Sequence, residues 1–159
     1  MRNKPALILL LFTLHFPGAP TPSGAQPEAA FDHFRNTINA RIEAEKRVIE
    51  QNPEDPQAHF KLGLSYMALG RHREEIAAYE EAVRLKPDFA DAYYNLGAAW
   101  DLLGDGERAL RNTRRALHWY TARRNHPASR RALRELRRLG NKYPQESAGA
   151  MEGQKEEDR

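Results

Sequence analysis

Two stretches 34 residues apart nearly repeat one another: Phe60 to Gly70 reads FKLGLSYMALG, and Tyr94 to Gly104 reads YNLGAAWDLLG. Laying residues 56–89 over 90–123 matches Leu62 with Leu96, Gly63 with Gly97, Tyr66 with Trp100, Leu69 with Leu103 and Gly70 with Gly104. The correspondence continues through Ile76 with Leu110, Ala82 with Ala116 and Val83 with Leu117. A fixed period of this length means a supersecondary unit that cannot bury its own apolar face and must stack on a copy of itself. Apolar residues at helical spacing, few β-branched residues and abundant Ala, Leu, Arg and Glu make each unit a pair of short helices. Gly70 and Gly104 sit where a helix end takes positive φ. Gly63 and Gly97 sit where two helices approach closely, with Tyr66, Tyr79, Trp100 and Leu103 expected to fill the space between layers.

The period, the L-G-x-x-Y/W signature and the downstream alanine together resemble the tetratricopeptide repeat. The resemblance implies an all-α solenoid of stacked antiparallel helix pairs. It also implies that the first helix of each unit lines a curved inner face. Two departures stand in the first unit: His59 replaces a large apolar residue, and Glu75 replaces a small alanine that lets the helices touch, so a loosely packed first unit is expected. In the second unit Thr121 replaces the usual closing proline, so that helix can run past Tyr120.

Two units alone bury little surface, and the flanks must cover them. Phe31, Phe34, Ile38, Ile42 and Ile49 form one helical stripe, predicting a long amphipathic helix from about Glu28 to Gln51 that the prolines of QNPEDP terminate. Ala128, Ala132, Leu133, Leu136 and Leu139 predict a closing helix from Pro127 to Leu139. The resulting organisation is a leader at 1–25, an N-terminal helix and linker at 26–55, units at 56–89 and 90–123, a capping helix at 124–143, and a disordered acidic tail at 144–159.

The leader has positive Arg2 and Lys4, an apolar run from Ala6 to Phe16, and the breakers Pro17, Gly18 and Pro20. Ser23, Gly24 and Ala25 follow. This is the pattern of a secretory signal cleaved after Ala25. The run is short of the ~20 apolar residues that span a bilayer, although an uncleaved membrane tether is the alternative. The expectation is a soluble protein outside the cytoplasm, periplasmic or secreted.

The chain has no cysteine, so disulfides and thiolate chemistry are excluded. It has no H-E-x-x-H pair, no G-x-S-x-G elbow and no glycine-rich phosphate loop. His118 and Asp101 could meet in space, but a solvated histidine is the simpler reading. No catalytic residue, metal site or cofactor is expected; the sequence reads as a binding protein.

The resemblance places Gln57, Phe60, Lys61, Leu64, Met67 and Ala68 of the first unit on the inner face. It adds Asp91, Tyr94, Asn95, Ala98, Asp101 and Leu102 of the second. Phe60, Lys61, Leu64, Met67, Tyr94, Asn95, Ala98 and Asp101 are the candidate contacts to a protein or peptide partner. Some family members clamp a chaperone's terminal carboxylate with basic and amide side chains; Asn95 matches one such position, but Phe60 and Leu64 stand where Lys and Asn are needed. A second candidate surface is basic. Residues 91–145 carry 12 basic and 5 acidic side chains, with 11 arginines between Arg108 and Arg138. Arg108, Arg111 and Arg115, and further on Arg130, Arg134 and Arg137 or Arg138, recur at helical spacing; Arg111, Arg115, Arg130, Arg131, Arg134 and Arg138 are the candidate basic surface, since guanidinium forks match carboxylate or phosphate. An acidic protein segment, an anionic envelope component or self-pairing through the open ends are the partners this suggests, while nucleic acid conflicts with export. Internal pairing with the acidic N-terminal half or tail is the competing explanation for these charges.

Overall fold

The computed structural model describes residues 27–147, which form six helices: α1 (Pro27–Gln51), α2 (Pro56–Ala68), α3 (His72–Leu85), α4 (Ala90–Leu102), α5 (Gly106–Ala122) and α6 (His126–Lys142). The expected signal segment, with its cleavage site, and the tail beyond residue 147 lie outside the described residues. Every extensive packing contact is between helices consecutive in the chain, the arrangement of a solenoid. Helices α2/α3 and α4/α5 form two antiparallel pairs, with α1 packed at one end and α6 at the other. Among the described residues no helix is long and apolar enough to cross a membrane.

Local chemistry places the helix ends. Asp55, Asp105 and Asn125 each accept a backbone N–H of the first turn of α2, α5 and α6, satisfying one of the orphan donors there. Gly70 and Gly104 take φ of 67° and 78°, and each helix end closes the same way, with Arg71 N–H bonding Tyr66 C=O and Asp105 N–H bonding Trp100 C=O. The end of α5 repeats the motif on a non-glycine residue, Arg124, at φ 56°. Its closing bond runs from Asn125 N–H to Tyr120 C=O.

The core runs the length of the stack. Ile38 and Ile42 of α1 pack on Leu62, Tyr66 and Ala78, with Ile49 and Leu69 at the margin. Ile76 and Tyr79 meet Leu96 and Ala99 between the units. Ala90, Tyr93, Ala116 and Tyr120 receive Ala132 of α6, and Leu139 seats on Ala109 and Leu110. The two contact glycines, Gly63 and Gly97, do what close approach demands. A Cβ on Gly63 would lie 2.4 Å from the Tyr79 ring, and one on Gly97 would lie 2.5 Å from Thr113 Oγ1.

Three expectations need correction. Leu103 is exposed rather than buried between layers, because the chain turns away from the stack at Gly104 immediately after it. Glu75 does not leave a void: it is itself buried and bonds His72 Nδ1 at 2.9 Å. The first unit therefore has a polar interior, in which the Ser65 and Tyr79 hydroxyls have no hydrogen-bond partner among the described residues. The segment expected to be disordered from 144 opens with a helical turn at 144–147, tied by Ser147 N–H to Tyr143 C=O at 3.1 Å. The closing helix α6 begins at His126, 36 residues after the start of α4, whereas α4 begins 34 residues after α2.

Candidate functional site

The face that carries the candidate residues is built from α2 and α4, the first helices of the two pairs, with the closing helix α6 beside α4. On a helix turning about 100° per residue, Asp91, Tyr94, Asn95, Ala98, Asp101 and Leu102 fall on one side of α4 and Tyr93, Leu96 and Trp100 on the other. The second set is in the core or at its margin. Of the first set, Asp91 and Leu102 are exposed, Tyr94, Asn95 and Ala98 half-buried, and Asp101 buried.

The structure brings some candidate residues together and withdraws others. Met67 and Lys61 are exposed on α2, and Tyr94, Asn95 and Ala98 are half-buried on α4. Phe60 and Leu64 are more committed than a free groove residue would be: both pack on the seam between units, and the Phe60 ring lies 4.8 Å from Phe89 and 5.6 Å from Tyr79. Stacking of one unit on the next claims one side of each ring or chain, which leaves a half-buried edge for a ligand.

Asp101 is a correction. It is 9% exposed, and its carboxylate accepts Arg138 Nη2 at 2.6 Å and Lys142 Nζ at 2.8 Å. Burial opposes its charge, yet the Lys142 and Arg138 donors outweigh that and hold the carboxyl below its ordinary range. It fastens α6 to α4 instead of meeting a partner. Arg138 is thereby removed from the free basic surface, since it also donates to Glu135 Oε1 at 2.6 Å and is pushed upward by those two carboxylates. His118 does not approach Asp101; its ring meets the edge of Trp119 at 4.8 Å.

The other arginines divide between two faces. Arg131 lies 4.7 Å over the Tyr94 ring, so it forms the wall of the concave face next to α4. Arg130 and Arg134 project from α6 with no ion-pair partner among the described residues. Arg111 and Arg115 are elsewhere, on the α5 side of a cleft formed with α3 and α4. The single basic surface expected from the sequence is thus two. Sequence reasoning also missed Tyr120, whose hydroxyl donates to Asp91 Oδ1 at 2.6 Å, and Tyr143, whose ring fills the space above Gly106. Both are contacts across 29 and 37 residues of chain, with no local pattern to betray them.

The comparisons agree with this architecture. The family model described as TPR repeat matches residues 65–104. A probable UDP-N-acetylglucosamine–peptide N-acetylglucosaminyltransferase of Arabidopsis thaliana is 36% identical over 70 residues, which are 44% of this chain and 7% of that protein. The chain therefore spans a small fraction of that relative. Among solved structures, PcrH in complex with the chaperone binding region of PopD superposes with a TM-score of 0.64 at 14% identity, covering 72% of this chain and 88% of that one. The TPR2B domain of yeast Sti1, in complex with pHsp70, gives 0.63 at 18% identity, covering 72% and 90%. Fold and match together define an α-solenoid of tetratricopeptide type. The matched residues run from α2 through α3 to the end of α4.

Proposed function

We propose that the protein is an exported adaptor that holds an extended or acidic segment of a partner protein on the concave face of α2 and α4, beside the arginines of α6. The observation that carries this is the open strip of Met67, Lys61, Tyr94, Asn95 and Ala98 with Arg131 stacked over Tyr94. α1 packs on α2 through Ile38, Ile42 and Ile49 against Leu62, Tyr66 and Leu69, which are not the strip residues. Met67 offers an adaptable thioether, Tyr94 a rigid ring, and Asn95 and Lys61 donors for a peptide carbonyl or carboxylate. Support also comes from PcrH and the Sti1 domain, whose structures are complexes with a chaperone binding region and with pHsp70. Recognition is noncovalent.

A second reading rests on Arg130, Arg134 and Arg137, which are exposed on α6 without ion-pair partners among the described residues: the protein adheres to an anionic envelope surface and the groove is incidental. Proteins bound to the full chain, to a Met67→Ala and Tyr94→Ala variant, and to an Arg130→Gln, Arg134→Gln and Arg137→Gln variant separate the two. Loss of partners only in the arginine variant, with steep weakening by salt, sinks the groove.

A further inference from the structure

The first helix outruns the helix it packs on. α1 has 25 residues, about 37 Å, and α2 has 13, about 20 Å. Every residue from Glu28 to Thr37 is exposed, and Ile38 is the first of α1 to be buried against α2. These ten residues of helix run past the stack, a length that is marginal in water without packing. The apolar stripe does not stop where the contact stops: Phe31 and Phe34 precede Ile38 at steps of three and four, and they are 62% and 45% exposed. With Ala68 and Leu69 at the end of α2 they line an open groove of about 320 Å³.

The charges beside this stripe select what covers it. At about 100° per residue, Glu28, Asp32 and Arg35 fall on one flank of the two phenylalanines. Glu28 has no ion-pair partner among the described residues. Arg35 bonds its own Asp32 at 2.9 Å in an exposed pair, and its guanidinium keeps further donors. It stands 5.9 Å from the centre of the Phe31 ring and still leaves that ring open. A second α1 can be laid antiparallel on the first with Phe31 opposite the partner's Phe34, and Phe34 opposite the partner's Phe31. In that register Glu28 and Asp32 of each copy come within two residues of the partner's Arg35. Laid parallel in register, the same flank sets like charges against each other. An apolar match and a charge match, made by the same residues on both sides, are what a twofold axis requires. The two acids also count against an anionic lipid surface, which amphipathic helices meet with Lys and Arg.

The geometry points to a second copy of this chain as the occupant: two α1 overhangs pair antiparallel about a twofold axis, with Phe31 on Phe34 in both directions, and form a homodimer. The interface is about two to three helical turns from each copy, so the dimer is weak and depends on concentration. None of its residues belongs to the concave strip of α2 and α4. The dimer therefore presents two such strips and can hold a repeated or bivalent partner more tightly than one chain does.

Sedimentation velocity of the full chain from about 5 to 200 µM tests it, and should show a two-chain species that grows with concentration. Phe31→Gln with Phe34→Gln should weaken association at least about hundredfold. Both side chains are exposed, so this variant keeps the helical circular dichroism of the stack. Leu102→Gln with Leu103→Gln, the exposed pair at the end of α4, should change association less than about twofold. Arg35→Glu makes the flank all acidic, and Glu28→Arg with Asp32→Arg makes it all basic. Each should weaken self-association about tenfold, and an equimolar mixture of the two should recover it. Disulfide trapping reads the orientation, since the chain has no cysteine of its own. Phe31→Cys mixed with Phe34→Cys should crosslink faster than either alone. The inference is overturned if the chain is monomeric throughout the range, if the two-phenylalanine variant associates like the parent, or if the charge mixture does not recover. Faster crosslinking of either cysteine variant alone overturns it as well. A monomeric chain whose binding to phosphatidylglycerol vesicles is lost with the two phenylalanines overturns it in favour of a lipid surface.

Discussion

Arg138 of α6 and Asp101 of α4 form a bridge of 2.6 Å across 37 residues of chain, and Lys142 joins it from one turn further along α6. This cluster fixes the last helix against the second unit and so sets the end wall of the concave face.

Asp101→Asn should leave two cations facing an uncharged amide and detach the end of α6. The cost should be about 1–3 kcal/mol, read from urea denaturation, with faster amide exchange confined to α6. Because the folded state holds the Asp101 carboxyl below its unfolded value, its contribution is present above that value, near pH ~3.9, and is lost as the pH falls through the folded one. The parent should therefore lose more stability than Asp101→Asn as pH is lowered below about 4.

Glu75 works in the opposite sense. Desolvation raises its carboxyl despite the bond from His72, so the group costs stability where it is ionised. Its penalty is absent below the unfolded value and grows as pH rises through the folded one. Glu75→Gln should stabilise the protein at pH 7 by about 1 kcal/mol, with the gain shrinking as the pH approaches ~4. A gain that is equal at both pH values would contradict this.

Two glycine substitutions should fail for different reasons. Gly63→Ala drives a methyl into the buried Tyr79 ring and should cost about 2–3 kcal/mol, whereas Gly70→Ala meets nothing within 4 Å and pays only for its positive φ, about 1 kcal/mol. Thermal unfolding of the two variants should keep that order.

The same backbone argument predicts a stabilising change. Arg124 holds φ 56° in the closing turn of α5, where the ends of α2 and α4 place glycine. Arg124→Gly should raise stability by about 1 kcal/mol, seen as a higher melting temperature. An unchanged or lower value would show that the side chain contributes a contact worth more than the strain.

The helices were legible because their signals are local or periodic: the 34-residue match set α2 to α5, the Ile38, Ile42 and Ile49 stripe set most of α1, and Gly70 and Gly104 marked two ends. The concave face was legible only in part. A repeat pattern gives the positions expected to point inward, among which Met67 is exposed and Tyr94 and Asn95 are half-buried, but not which of them the stack consumes. Phe60 is taken by Tyr79 and Phe89, and Asp101 by α6, whose offset of 36 residues hides it from the 34-residue register. The arginines showed helical spacing, yet their division between the α6 side and the α3/α4/α5 cleft depends on how the helices turn around α4, which no single stretch records.

Photocrosslinking tests the central claim most directly. A benzophenone amino acid placed at Ala98, on the concave face, and separately at Ala77, exposed on α3, is activated in the protein's native setting, and the joined peptides are sequenced. The account predicts one recurrent partner segment attached at position 98 and absent at 77, and lost when Met67→Ala and Tyr94→Ala are added. Attachment of the same species at both positions, or survival of the product in that double variant, would contradict it.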